Sequence, residues 1–89
     1  MTEKNDRPLR KDKNLFARIK KHFGGITRLA IELNLSIQAV NYANVRGYFS
    51  IYQALMIDAK SNSKFKAEDL VHLSERDAVL GLIRSRKGR

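Results

Sequence analysis

Residues 26–45 read ITRLAIELNLSIQAVNYANV, and the fold turns on this stretch. Two short helices packed across a tight turn need a small residue at their approach, a turn-former shortly after, and apolar inner faces. Ala30 is the small residue and Asn34 the turn-former, since asparagine is among the few non-glycine residues tolerated in the left-handed region. Leu29, Leu33, Leu35, Val40 and Ala43 supply the inner faces. Ser36 is a good N-cap. The pattern predicts helices over 26–33 and about 37–45. On the second helix the remaining residues are Ser36, Gln38, Asn41 and Tyr42, with Ile37 and Asn44 at the edges. No Asp or Glu occurs from Ser36 to Val45. A helix lying in a major groove requires short amide and hydroxyl groups that reach base edges, with no carboxylate to repel phosphate.

Upstream, residues 1–13 are polar and without periodicity, and Pro8 disfavours helix at Arg7, so a flexible basic arm is expected there. Asn14 is placed to cap a helix whose inner face is Leu15, Phe16, Ile19 and Phe23. Gly24-Gly25 ends it in a sharp turn. Downstream, Arg46-Gly47 breaks the second helix of the pair, and Tyr48 and Phe49 read as core anchors. Ser50 caps a helix over 51–60 with Ile51, Ala54, Leu55 and Ala59 inward. Phe65 and Leu70 pin a short helical piece at 67–72. Ser74-Glu75-Arg76-Asp77 resembles a capping box and predicts a last helix over about 75–85. Nothing alternates with period two. The expectation is an all-α, compact bundle of about five or six short helices with a central helix-turn-helix. It divides into an arm (1–13), a helix-turn-helix domain (14–73) and a C-terminal helix with a basic tail (74–89).

Composition bounds what such a domain does. Eighty-nine residues make one domain near the lower limit for a self-sufficient core. The absence of cysteine excludes disulfides and thiolate chemistry. No apolar run approaches the ~20 residues of a membrane span, and the N-terminus lacks the apolar stretch of a secretory signal, so a cytoplasmic, nucleoid-associated location is expected. The net charge is +9, which suits a polyanion partner. Residues 1–22 carry eight basic and three acidic groups and residues 60–89 eight and four, while residues 23–59 balance two against two. The basic ends are expected to grip phosphates and the neutral centre to select.

Roles follow from residue chemistry. Gln38, Asn41 and Tyr42 are the expected base contacts, glutamine and asparagine pairing bidentately with adenine. Ile37 either touches a thymine methyl or supports packing. Thr27 and Ser36, at helix starts, are expected on phosphate, with Arg28, Asn44 and Arg46 beside them. Lys4, Arg7, Arg10, Lys11 and Lys13 form an arm that either orders on DNA or contacts phosphates diffusely. Arg84, Arg86, Lys87 and Arg89 admit the same two readings. Val79, Leu82 and Ile83 either form a dimer contact or pack on their own domain. Two-fold symmetry would set the recognition helices roughly 34 Å apart.

The run HFGGITRLAIELNLSIQAVNYANVRG (22–47), followed by a helix and KFKAEDL (64–70), resembles the Cro-like and YdaS-like helix-turn-helix proteins of phages and prophages. The likeness covers about residues 15–70 and rests on Phe23, Gly24, Thr27, Ala30, Leu35, Ser36, Ala39 and Val40. It implies a phage-repressor-like fold and transcriptional regulation, usually by a homodimer on a palindromic double-stranded operator. Three departures stand out. Ile26 replaces a glutamine that often contacts phosphate in the family, and Asn34 replaces the turn glycine. Ala43 replaces a bulky tryptophan, with one extra residue before Gly47, and Tyr42, Tyr48 or Phe49 must fill that space.

An enzyme is not expected. His22 and His72 lie in different segments without metal-ligand spacing, and Gly24-Gly25 lacks the rest of a phosphate-binding motif. No cofactor, metal or small-molecule ligand is expected. The rival readings are a helix-turn-helix component of a toxin–antitoxin pair acting through a protein partner, or a small RNA-binding protein. The latter would favour exposed stacking aromatics.

Overall fold

The computed structural model describes residues 6–87, with side-chain placement through residue 84. Among the described residues there are six α-helices: α1 (Pro8–Lys11), α2 (Leu15–Phe23), α3 (Ile26–Leu33), α4 (Ile37–Arg46), α5 (Ile51–Lys60) and α6 (Arg76–Lys87). Short 3₁₀ turns at Ala67–Asp69 and Leu73–Glu75 join α5 to α6. No strand occurs among the described residues. The chain is an all-α bundle, as expected.

Local chemistry sets most of the boundaries. Gly24 ends α2 at φ 95°, and the Gly25 N–H closes back onto the Lys20 carbonyl at 2.7 Å. Asn34 ends α3 in the left-handed region (φ 58°, ψ 44°). Its N–H donates to Ile31 O at 3.0 Å, and the Leu35 N–H donates to Ala30 O at 2.8 Å. That pair of bonds satisfies carbonyls the helix would otherwise orphan. The Ser36 hydroxyl then accepts from Ala39 N–H at 3.1 Å and starts α4. Ser50 starts α5 more firmly than expected, because Gln53 returns the second bond of a full capping box.

Several local expectations are corrected. Asn14 makes no side-chain cap; instead the Asp12 carboxylate accepts from Asn14 N–H at 3.0 Å. Arg18 holds the same carboxylate at 2.8 Å. The Arg18 bond first, then the Asn14 N–H, keeps the Asp12 pKa below the ordinary carboxylate range. The resulting stability is present above the unfolded pKa and is lost as pH falls through the folded one. Both partners are about half exposed, so it is small. The Ser74 box does not form: Ser74 N–H donates to His72 Nδ1 and α6 begins at Arg76. On α5 the buried residues are Ala54 and Ile57, while Ala59 is exposed.

The core joins every helix. Ile19, Leu29, Leu33, Val40, Phe49, Ile57, Leu70 and Val79 are its largest fully buried side chains. Leu9 of α1 and Val79 of α6 belong to this same cluster. Phe49, a predicted anchor, is fully buried with its ring 6.3 Å from that of Phe16.

Leu33→Ala is expected to lose about 2–5 kcal/mol through an unfilled cavity. At the turn, Asn34→Gly should be near neutral, whereas Asn34→Val should lose about 1–2 kcal/mol to left-handed strain. Urea denaturation followed by circular dichroism measures all three.

Candidate nucleic-acid interface

Helix α4 buries only Val40 and Ala43. Ile37, Gln38, Asn41, Tyr42, Asn44 and Val45 are all exposed. At 100° per residue these six cover an arc of about 160° on the side opposite Val40 and Ala43. The five expected edge and base-facing residues therefore share one surface. Val45, 63% exposed, extends it and had no assigned role in the sequence reading. Its signal was its spacing, eight residues after Ile37.

Tyr42 points outward at 61% exposure, so it does not fill the space of the absent tryptophan. The Arg46 guanidinium lies 5.4 Å from the Tyr42 ring and 4.8 Å from the Tyr48 ring. Its Nε donates to the Tyr48 carbonyl at 3.0 Å. Tyr48 in turn meets the His72 ring edge-on at 5.1 Å. Tyr48 is thus a half-buried shelf for arginine rather than a plain core anchor.

The N-terminal segment is the largest correction. Within the expected flexible arm, Pro8–Lys11 form a helical turn with Leu9 buried. Pro8 sits at the first helical position, where its fixed φ suits the start of a helix and its missing N–H is no loss. Three successive carbonyls at the end of α4 accept from this turn. Arg10 Nη2 donates to Val45 O, Arg7 Nη1 to Arg46 O at 3.3 Å, and the Leu9 N–H to Gly47 O at 2.8 Å. Gly47 makes the approach possible: its φ is 99°, and a Cβ there would lie 2.9 Å from Arg7 Cβ and 3.0 Å from Arg10 Cγ.

The other expected contacts are distributed. Thr27 and Arg28 are exposed in the first turn of α3, Ser36 is exposed while capping α4, and Lys11 and Lys13 are exposed at and beyond the end of α1. Lys4 and Arg89, and the side chains of Arg86 and Lys87, lie outside the described residues. Val79 is fully buried in its own domain, which removes it as a dimer contact. Ile83 is half-buried against the core and Leu82 is 47% exposed.

Charge around α4 is one-sided. The acids nearest in sequence are engaged elsewhere: Glu32 pairs with Lys60 at 3.2 Å, and the Asp58 carboxylate accepts from Ser63 Oγ and Ala67 N–H. An open groove of about 650 Å³ between α1–α2 and residues 64–76 also holds cations. There Arg18 faces Asp12 and Arg76 faces Asp69 at 3.8 Å, with Glu68 on the same wall. The groove mixes both signs of charge, whereas the exposed face of α4 is free of charge and has Arg46 at its end. No family model, curated protein or solved structure matches the chain.

Gly47→Ala is expected to destabilise the fold by at least about 1–2 kcal/mol, from left-handed strain plus the clash with α1. Limited proteolysis should show earlier cleavage within residues 7–13. An unchanged cleavage rate would mean that α1 is not held at Gly47.

Proposed function

We propose that this chain is a sequence-specific, double-stranded DNA-binding transcriptional regulator that reads the major groove with α4. One observation carries the reading. A short helix turns a broad, acid-free face of amide, aromatic and aliphatic side chains to solvent, with Arg46 in its last turn. Gln38 and Asn41 read adenine edges, Tyr42 is steadied for contact by Arg46, and Ile37 and Val45 meet thymine methyl groups.

Phosphate contacts position the helix without carrying sequence information. Thr27 and Arg28 offer a hydroxyl and a guanidinium at the start of α3. Ser36 accepts its capping bond and keeps its own O–H to donate. Asn44 flanks the face. Arg46 uses one donor on Tyr48 O and retains others of its five for the backbone. Lys11 and Lys13 add to affinity through counterion release.

The resemblance to Cro-like and YdaS-like proteins supports a repressor acting as a homodimer on a palindrome, in the cytoplasm with the nucleoid. Of the three apolar residues considered for a dimer contact, Leu82 is the exposed one. Among the described residues, no helix is long and apolar enough to cross a membrane. RNA recognition by stacking is less favoured. The two exposed tyrosines, Tyr42 and Tyr52, sit on different helices, and the Arg46 guanidinium lies over the Tyr42 ring.

Selection from random duplexes should enrich a palindromic site, with binding that weakens steeply as salt rises. Gln38→Ala and Asn41→Ala should each lose about 1–3 kcal/mol of discrimination at one base position. Non-specific affinity and thermal stability should be unchanged. Equal binding to every duplex, with wild-type behaviour of both variants, would defeat the reading.

A further inference from the structure

We propose that Arg7 and Arg10 are positioning residues for α4 rather than ligands of DNA phosphate; this rests on the DNA reading above. The last carbonyls of a helix have no partner within it and carry the negative end of its dipole. On α4 these are the carbonyls of Val45, Arg46 and Gly47, and each accepts a bond from residues 7–10. Two of the three donors are guanidiniums, whose positive charge complements that dipole.

Neither partner is stable alone. Four residues are far too few to hold a helix, and α4 has two buried side chains to anchor ten residues. Leu9 fixes α1 in the core, and the two arginines transmit that anchorage to the end of α4. Arg7 also lies 6.0 Å from the ring of Tyr48, the shelf on which Arg46 rests. Removing the arginines therefore loosens Asn41, Tyr42, Asn44 and Val45 relative to the groove. A helix that must be ordered on binding loses affinity where geometry matters most, on the specific site. Affinity for random sequence, which depends on phosphates, is spared.

The salt dependence distinguishes the two roles. A phosphate ligand contributes about 0.9 to the slope of log K against log salt, so losing two would lower it by about 1.8. Arg7→Ala/Arg10→Ala is expected to shift the slope by less than about half a unit. It should weaken the selected duplex about tenfold and leave a scrambled duplex unaffected. In the free protein, amide hydrogen exchange from Ala43 to Tyr48 should accelerate about tenfold. Arg7→Gln/Arg10→Gln, which keeps donors without charge, should restore part of the exchange protection and of the selected-site affinity. A slope lowered by about 1.8 with equal losses on both duplexes, or unchanged exchange, would overturn the proposal. Wild-type protein that binds both duplexes alike would remove the DNA reading itself. That failure is separable, because exchange is measured without DNA.

Discussion

Helix α4 is ten residues long and buries two of them, so the structure depends on how its ends are held. A helix of that length is marginal by itself, and full burial of a valine such as Val40 supplies only about 1.5–3 kcal/mol. The N-terminal end is fixed by the left-handed Asn34 turn and the Ser36 cap. The C-terminal end is fixed by α1, through Gly47. With both ends held, the middle needs little burial, and the rest of the helix surface is free to face a partner.

The division of charge follows from the same arrangement. The exposed face of α4, built from amides, an aromatic ring and aliphatic groups, is uncharged and contributes little to long-range attraction. Attraction must come from elsewhere in a chain whose net charge is +9. Part of the basic N-terminal segment is committed to the fold, however. Arg7 and Arg10 serve the end of α4, and Arg18 serves Asp12. Lys11, Lys13 and Arg28 remain exposed. The cations that hold the end of α4 are thus different from those left exposed.

How much of this was legible in the sequence depended on the range of the deciding interaction. Asn34, Ser36, Gly47 and Ser50 act on neighbours within a few residues, and their helix boundaries were readable to within a residue. The exposed face of α4 was readable too, because helical periodicity alone separates Gln38 and Asn41 from Val40 and Ala43. Tyr42 was left open between two orientations. Its outward direction had a local signal in Arg46, four residues on, which stacks against its ring. The α1 turn was missed because its bonds run to partners 35 and 39 residues away. Locally, Pro8 reads equally as a breaker or as a first helical residue. Val79 was ambiguous for a different reason: an apolar stripe has the same spacing whether its own domain or a second subunit covers it.

The most direct test follows backbone amide shifts while the selected duplex is titrated into the labelled protein. The account requires the largest perturbations at residues 36–46, with smaller ones at Thr27 and Arg28. Perturbations centred instead on the groove lined by Arg18, Lys64, Lys66 and Arg76, with 36–46 unmoved, would contradict it.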